Sequence, residues 1–524
     1  MQTKLSSKNA HDSHAQRMAE KQREISISEF FTKNRHLLGF DNPRKALLTA
    51  VKESVDNSLD ACEEMHVLPE IKVEIKKLEE KRYTLIVEDN GPGIIRSQIP
   101  KIFGKLLYGS KFFKLACSRG QQGIGISATA LYSQLTTGKG IKIISKTGKN
   151  QPAHFYELHL NLKTNDAEII NEEEKEWDAE HGTKLQVTME ADLIRGKRGV
   201  DEYLKQTAIA NPHAAIYYKA PDAEWMLFTR ATKELPKEAK EIKPHPYGIE
   251  LGILMRMLKD TKAKTLQQFL TSEFSRVSPR VAKQICEKAH LYERARPSRI
   301  ARQEVDNLYK AIQQVKIIAP PTNCLSPIGE DLLLKGLKKE VDAEFYTAIT
   351  RPPSVYRGNP FCIEAALAYG GSLLGDHLIK IIRFANRVPL QYKQSDCAIT
   401  KSTIGTAWRN YGLSQSKGSL PSGPAVIIVH INSVWVPFTS ESKEAIASYS
   451  EIIKEIKLAL QECGRKLASH IRKVRKIEHE KKRQKIFELY IDEITYSLHA
   501  LTGHKKSEIK DHLHKIAKRR TEGE

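Results

Sequence analysis

The hydrophobic pattern predicts one long amphipathic helix near the start of the chain. Asn42 is a capping residue and Pro43 suits the first helical position. Apolar side chains then recur at helical spacing and form one face: Leu47, Leu48, Val51, Val55, Leu59 and Cys62. A polar stripe, at spacings of four, three and four, carries Glu53, Asn57, Asp60 and Glu64. Taken alone, such a stripe is most simply a solvated surface.

Short β-rich runs follow this helix. They lie at residues 83–87, 141–146, 155–162 and 184–189. A helical stretch at 200–210 and a strand-like run at 215–219 come next, and the acidic segment 171–180 is expected to be an exposed excursion. Because adjacent strands here lack crossover helices, the pattern predicts a largely antiparallel sheet with helices on one side.

The middle of the chain changes to a helical pattern. A charged linker at 233–245 precedes a helical region from 248 to about 314, with expected breaks near 271–272 and 278–279. A second linker lies at 317–321.

Helices and strands alternate again from residue 329 to about 437. Residues 361–369 and 425–431 are predicted strands, and 374–384 is either a helix or a long strand. From Lys443 to about residue 484 the helical periodicity is almost unbroken.

The fold class is therefore α/β (α+β), and 524 residues are enough for several domains. Five segments are predicted: an N-terminal arm at 1–24, an α/β domain at 25–232, a helical module at 245–316, a second α/β domain at 320–442, and a long helix with a C-terminal segment at 443–524.

Composition narrows the class of protein. The formal charge is +21, from 84 basic and 63 acidic residues, which favours a polyanionic partner, although a basic protein can also be merely soluble. None of the seven cysteines forms a C-x-x-C pair, so neither a zinc site nor a disulfide framework is indicated. No apolar run is long enough to span a membrane, and the first 20 residues are too polar for a signal peptide. We expect a cytoplasmic protein that makes no membrane contact.

Two glycine-containing loops indicate that the polar stripe belongs to a ligand-binding site. The run at 83–87 leads into Asp89, Gly91 and Gly93, which places a carboxylate at the carboxyl end of a strand, where α/β sheets bind ligands. Gly120, Gly123 and Gly125 then precede a helix from about 126 to 134, and such a loop directs backbone N–H groups towards an anion. No Walker lysine follows this loop, and it does not match the dinucleotide fingerprint.

The three pieces in this order resemble the ATP site of the GHKL family, which includes DNA gyrase, MutL, ninety-kilodalton heat-shock chaperones and histidine kinases. The resemblance implies a GHKL (Bergerat) ATPase sandwich with ATP and Mg²⁺ as cofactors. It implies that Asp89, supported by Thr183, accepts a hydrogen bond from adenine, that Asn57 binds Mg²⁺, and that Glu53 activates water.

Six further runs are similar to the family of archaeal DNA topoisomerase VI B subunits. They are Glu-Phe-Phe at 29–31, His-Leu-Leu-Gly-Phe at 36–40, Leu-Tyr-Gly-Ser-Lys at 107–111, Arg-Gly-Gln-Gln-Gly-Ile-Gly-Ile at 119–126, Ala-Asn-Pro-His-Ala at 210–214 and Pro-His-Pro-Tyr-Gly at 244–248. The likeness, from about 25 to 497, implies a helix–two-turns–helix module at 245–316 and a transducer domain whose Lys443 reaches the γ-phosphate. The residues then implied at the ATP site are Asn57, Asp89, Gly91, Gly93, Ser110, Lys111, Arg119, Gly120, Gln121, Gln122, Gly123, Ile124, Gly125, Ile126, Thr183 and Lys443, with Glu53 and Lys443 catalytic.

The same resemblance implies partners. They are duplex DNA, the DNA-cleaving A subunit of topoisomerase VI, and a second copy of this chain in an ATP-dependent homodimer within an A2B2 heterotetramer at the nucleoid. The chain has no two aspartates two positions apart, so it lacks the paired metal carboxylates that DNA cleavage requires. Apolar positions that either dock the partner or pack on the second α/β domain are Phe487, Leu489, Tyr490, Ile494, Tyr496 and Leu498.

Two basic clusters are candidates for contacts with DNA. Residues 276–302 carry eight basic and two acidic side chains, and 465–485 carry ten and two. A DNA-facing surface and a solvated helix face remain equally open. The positions singled out are Arg276, Arg280, Lys283, Arg472, Arg475 and Lys476.

Three functions are consistent with these patterns: the ATP-driven subunit of a type II topoisomerase, a stand-alone GHKL ATPase of the repair or chaperone class, and a module that holds nucleotide only as a structural ligand. The insertion at 248–314, between the ATPase and transducer regions, weighs against a stand-alone ATPase. Glu53 weighs against a purely structural nucleotide site, because binding alone would not require it. We take the first as the working hypothesis.

Overall fold

The computed structural model describes residues 18, 22, 25–110, 114–120, 123–196, 199–440 and 443–522. The expected N-terminal arm lies outside the described residues, apart from positions 18 and 22. The first helices, α1 (Ile27–Lys33) and α2 (Pro43–Glu64), precede the first sheet. As the sequence predicts, Asn42 caps α2, since its side chain accepts a hydrogen bond from the Lys45 backbone N–H (3.1 Å).

The first sheet has eight strands in the order β5-β4-β3-β6-β2-β1-β7-β8. Neighbouring strands are antiparallel except β1 and β7, which are parallel. The strands are β1 (Glu70–Glu79), β2 (Arg82–Asp89), β3 (Ile141–Lys146), β4 (Ala153–Asn161), β5 (Asp166–Lys175), β6 (Gly182–Glu190), β7 (Ala215–Lys219) and β8 (Met226–Phe228). The helices between them are α3 (Ile99–Gly104), α4 (Gly125–Thr137) and α5 (Val200–Ala210). Burial alternates along β3 and β4, so one face of the sheet is buried against the helices.

The excursion expected at 171–180 is wrong for the first half of that segment, although the expected exposure is confirmed. Residues up to Lys175 belong to β5, which pairs with β4 at the edge of the sheet. Nearly every side chain of β5 is exposed, so the strand has no hydrophobic alternation to detect. Charged side chains are a common feature of edge strands, because they discourage pairing with other chains.

A separate helical core forms the middle of the chain. Its helices are α6 (Leu251–Asp260), α7 (Leu266–Glu273), α8 (Pro279–Ala289) and α9 (Arg302–Gln314). The break expected near 271–272 comes slightly later, because α7 ends at Glu273 and the chain leaves the helix at Phe274. The break at 278–279 is confirmed, and Ser278 caps α8.

The second sheet has six strands in the order β10-β11-β16-β12-β13, with β9 also paired to β11. These are β9 (Phe345–Thr350), β10 (Ser354–Tyr356), β11 (Asn359–Tyr369), β12 (Lys380–Ala385), β13 (Val388–Pro389) and β16 (Ala425–Ser433), while β14 (Ser414–Gln415) and β15 (Pro421–Ser422) pair separately. Helices α10 (Glu330–Glu340) and α11 (Ala398–Ile404) accompany them. The helical alternative for 374–384 is wrong, since its ordered part is β12.

The long helix, α12 (Ser450–Thr502), starts later than the sequence predicts. Lys443 has a φ of 51°, and residues 443–449 form an irregular segment whose first four residues are buried and whose Ile446 bridges to Phe438. Apolar residues buried in that segment imitate helical periodicity. The first part of α12 packs on the second sheet as far as Ile471, and a final helix, α13 (Lys506–Glu522), packs against its far end.

All seven cysteines are free, and six of them are buried. Within the residues that the structure describes, no helix is both long and apolar enough to cross a membrane.

Candidate nucleotide site

A cavity of about 600 Å³ lies between α2, the end of β2, the glycine loop and the second α/β domain. Its volume is in the range of small-molecule sites. Residues from the first domain that line it and that the sequence singles out are Glu53, Asn57, Asp89, Gly93, Ser110, Gly120, Gly123, Ile124, Gly125, Ile126 and Thr183. Pro389, Gln391 and Tyr392 line it from the second α/β domain, and Lys443 and Glu444 line it from the segment before α12. The two domains therefore build one site.

Asp89 is fixed at one end of the cavity by three hydrogen bonds. Its Oδ2 accepts from the Ser58 hydroxyl (2.8 Å), and its Oδ1 accepts from the backbone N–H groups of Gly91 (2.9 Å) and Thr183 (3.3 Å). Burial raises the pKa of this carboxyl above its ordinary value, against the opposing effect of these bonds. The bonds orient the carboxylate, and a half-buried acceptor of this kind suits the exocyclic amino group of a base.

Gly93 and Gly125 are required by their surroundings. Gly93 has a φ of +70°, and a Cβ added there would lie 2.1 Å from the Lys146 carbonyl oxygen. A Cβ on Gly125 would lie 1.7 Å from Glu53 Oε2. The carboxylate of Glu53 therefore lies directly against the start of α4, where the glycine loop ends.

Charged groups that the sequence analysis missed surround Glu53. Burial lowers the pKa of Lys52 and raises the pKa of Asp56 to about 7. The Tyr203 hydroxyl donates to Asp56 Oδ1 (3.1 Å). Lys52 and Tyr203 both line the cavity. Lys52 precedes Glu53, but only tertiary packing turns this position of α2 towards the cavity.

Lys443 reaches the cavity from the irregular segment before α12. It is 9% exposed, and its backbone N–H donates to the Ser440 carbonyl (3.1 Å). The next residue, Glu444, ties the segment to α2 because its Oε1 lies 3.0 Å from Lys45 Nζ. A lysine of the second domain thus faces the same cavity as Glu53, as the resemblance implies.

Asn57 lies at the cavity wall and is exposed, as a metal ligand shared with solvent would be. The described residues contain no cluster of three or more His, Cys, Asp or Glu side chains arranged around a metal. One amide oxygen is an adequate protein ligand for Mg²⁺ that is otherwise held by phosphates and water.

Arg119 is the predicted site residue whose side chain turns away from the cavity. Its Nη1 donates to Asp60 Oδ1 (2.7 Å), and its Nη2 donates to Glu63 Oε1 (2.5 Å) and Asn211 Oδ1 (2.6 Å). His213 Nε2 lies 2.7 Å from the same Glu63 oxygen. Because Arg119 directly precedes Gly120, this network fixes the backbone at the start of the glycine loop.

The remaining predicted site residues either lie outside the cavity wall or fall outside the described residues. Gly91 supports Asp89 through its backbone and is not part of the cavity wall. Lys111, Gln121 and Gln122 lie outside the described residues.

Two family profiles match the chain. Residues 42–190 match the family described as histidine kinase-, DNA gyrase B-, and HSP90-like ATPase, and residues 320–483 match the topoisomerase VI B subunit transducer. The B subunit of type 2 DNA topoisomerase 6 from Methanococcoides burtonii is 51% identical over 472 residues, which cover 90% of this chain and 76% of the relative. The chain belongs to the family of topoisomerase 6 B subunits. The expected family is thus confirmed.

The likeness to topoisomerase 6 B subunits also holds for a more distant relative. The protein of that name from Pyrococcus furiosus is 37% identical over 540 residues, which cover 93% of this chain and 93% of the relative. Among solved structures, the ATPase region of Saccharomyces cerevisiae topoisomerase II is similar with 12% identity and a TM-score of 0.40, over 86% of this chain and 100% of that one.

The residues singled out as candidate DNA contacts are exposed, and none of them lines the cavity. Arg276 precedes α8, and Arg280 and Lys283 follow on that helix. Lys283 is 4.0 Å from Glu287, so its charge is partly compensated. Arg472, Arg475 and Lys476 lie on α12 just beyond the part that packs on the second sheet.

The apolar positions near the end of α12 do not join the core of the second α/β domain. Exposed fractions are 42% for Phe487, 78% for Leu489, 61% for Tyr490, 43% for Ile494 and 65% for Tyr496, while Leu498 is half-buried. The alternative that they pack on that domain is therefore wrong. Ile491 and Thr495 are the buried positions on this stretch, where α13 covers α12.

Proposed function

We propose that the chain binds ATP in the cavity between its two α/β domains and hydrolyses it to drive a type II DNA topoisomerase. One observation carries this proposal: Glu53, Asp89 and Lys443, from three separate elements, face the same cavity. In this arrangement Asp89 holds the base, the loop ending at Gly125 holds the phosphates, and Glu53 accepts the proton of the attacking water. A stand-alone ATPase would not explain the family membership.

Asn57 is the residue that would hold Mg²⁺, together with the phosphates. When bound, the ion neutralises charge on the phosphate oxygens during transfer. The chain's own residues then orient the nucleotide, and the cations Lys52 and Lys443 add positive charge at the cavity wall.

ATP binding is proposed to close two copies of the chain into a dimer through residues 1–40, with Lys443 sensing the γ-phosphate. A contact that exists only before hydrolysis stabilises one of two domain angles. Lys443→Ala is expected to reduce dimer formation with a non-hydrolysable ATP analogue, measured by light scattering. Lys454→Ala, a substitution on α12 away from the cavity lining, is the matched control. An unchanged mass of the wild-type chain on addition of the analogue would refute the switch.

The cleaving partner, the A subunit of topoisomerase VI, is proposed to dock on the exposed apolar positions of α12, giving an A2B2 heterotetramer at the nucleoid. Deleting residues 486–524 should abolish association while nucleotide binding persists. Leu489→Lys with Tyr490→Lys is a milder test, because both side chains are exposed and their loss costs little stability. Lys485→Ala serves as the control. Sedimentation that shows the partner still bound to the double variant would contradict this docking surface.

DNA is proposed to contact the two basic clusters through backbone phosphates. The slope of log K against log salt is negative for such binding. Each basic side chain whose contact is removed should reduce the steepness of this slope by about 0.9. Arg280→Gln with Lys283→Gln tests the helical module, and Arg472→Gln with Arg475→Gln tests α12. Lys77→Gln with Lys81→Gln, on the exposed β1–β2 hairpin, is the control for net charge. A slope that is the same in all three double variants and the wild type would show that the clusters are only solvated surface.

A further inference from the structure

Gln391 brings an amide group from the second α/β domain to the nucleotide cavity. It follows β13 and lies in the cavity wall beside Tyr392. Its Nε2 and Oε1 atoms are both shielded from solvent, and neither has a hydrogen-bond partner among the residues described. Burying an amide without partners costs folding free energy, so such a group in a native structure indicates a role outside the fold itself.

The backbone on both sides of Gln391 is held in place. The Arg383 Nη2 atom donates to the carbonyl oxygens of Leu390 and Tyr392, at 2.8 Å in each case. Arg383 is only 2% exposed, so these bonds are sheltered from water. The backbone that carries Gln391 in the cavity wall is therefore fixed, which is what a preorganised binding residue requires.

The turn before this strand is also attached to the base of the phosphate loop. Asn386 Nδ2 donates to the Ser118 carbonyl (3.0 Å), and Asn211 Nδ2 donates to the Arg387 carbonyl (3.4 Å). Asn211 is the residue that accepts from Arg119 just before Gly120. The hairpin that carries Gln391 and the loop that would hold the phosphates thus share one anchoring network.

Contacts around Gln391 place it at the same end of the cavity as Lys443. Lys393 Nζ lies 3.4 Å from Ser440 Oγ and 3.6 Å from Glu444 Oε2. Lys45 Nζ lies 3.0 Å from Glu444 Oε1 and 4.9 Å from the centre of the Tyr392 ring. The segment 391–393 therefore runs alongside 440–444, which carries Lys443.

We propose that Gln391 contacts the terminal phosphate of ATP, as a second nucleotide-binding residue of the transducer in addition to Lys443. The inference rests on the proposed function of the cavity. Phosphate oxygens accept hydrogen bonds only, so the amide N–H₂ of Gln391 is the group that pairs with them, and its oxygen accepts from a water of the nucleotide shell.

The test compares Gln391→Met with the wild-type full-length chain. Methionine is of similar length and has no amide, so the shape is kept while both hydrogen-bonding atoms are removed. Each protein is titrated with Mg²⁺ and either a non-hydrolysable ATP analogue or ADP, and its unfolding temperature is measured without nucleotide. Affinity for the analogue is expected to fall about 10-fold or more, since the bond to a charged phosphate is lost, while ADP affinity stays within about twofold.

The nucleotide-free variant is expected to unfold at the wild-type temperature or higher, because an unpaired buried amide has been removed. Gln394→Met, at an exposed position three residues later, is the matched control and should leave all three measurements unchanged.

Equal affinity of Gln391→Met and wild type for the analogue would overturn the inference. Equal losses for both nucleotides, or a lower unfolding temperature, would also overturn it, because Gln391 would then be a structural residue. A wild-type chain that binds neither nucleotide would instead contradict the proposed function of the cavity, and with it this contact.

Discussion

Glu53→Ala is expected to lower ATP turnover by a factor on the order of 10²–10⁴ while ATP still binds. The reason is that the substitution removes the proposed base for the attacking water but leaves Asp89 and the phosphate loop in place. The carboxylate lies against Gly125, so its removal opens space there and disturbs no hydrogen bond of Asp89. Steady-state turnover and equilibrium binding of a fluorescent ATP analogue measure the two properties separately.

Glu64→Ala is the matched control for this prediction. Glu64 lies on the same polar stripe of α2, and it is exposed and absent from the cavity wall. Its removal should leave turnover within about twofold of the wild type, since surface substitutions rarely matter. Asn57→Ala and Asp89→Ala should instead weaken nucleotide binding itself. Wild-type turnover in the Glu53 variant would remove Glu53 from the mechanism.

Arg119→Met is expected to destabilise the chain by about 3–5 kcal/mol, because it removes the guanidinium that pairs with the buried Asp60 and the half-buried Glu63. Burial opposes ionisation of Glu63, but Arg119 and His213 hold the pKa of that carboxyl well below its usual range. The stabilisation from Glu63 is therefore present above about pH 4.3 and is lost only as the pH falls well below that value. Thermal unfolding at neutral pH measures the difference.

An exposed ion pair provides the control for Arg119. Arg96 Nε lies 2.7 Å from Glu172 Oε1, and the Arg96 side chain is 60% exposed. Arg96→Met should leave the unfolding temperature almost unchanged, as is usual for surface pairs. Similar unfolding temperatures for the two variants would show that the network below the phosphate loop does not stabilise the fold.

The parts of the site that sequence predicts are those that local patterns determine. Glu53 and Asn57 share a helix face because their spacing matches the helical repeat, and Asp89 ends a strand because turn residues follow it. The largely antiparallel character of the first sheet follows from β-rich runs without helices between them, although the pattern predicts five of its eight strands and misses β1, β5 and β8. The residues that form each helix face or strand end are close in sequence, whereas the pairing of β2 with β6 joins residues about 100 positions apart.

The rest depends on contacts between distant segments. Gln391 and Tyr392 enter the cavity only because the second domain packs against the first, and no local pattern indicates that contact. Arg119 resembles a phosphate ligand beside a glycine loop, yet its partners are Asp60, Glu63 and Asn211, up to 92 residues away. Resemblance alone predicts the place of Lys443, and the apolar pattern of its buried segment imitates the start of α12.

Relaxation of supercoiled DNA tests the central claim most directly. The chain is combined with its cleaving partner and assayed with ATP, with ADP, and with Glu53→Ala in place of the wild type, alongside the chain alone. The account predicts relaxation only for the wild-type complex with ATP. Relaxation or cleavage by the purified chain alone, or an equal rate in the Glu53→Ala complex, would contradict it.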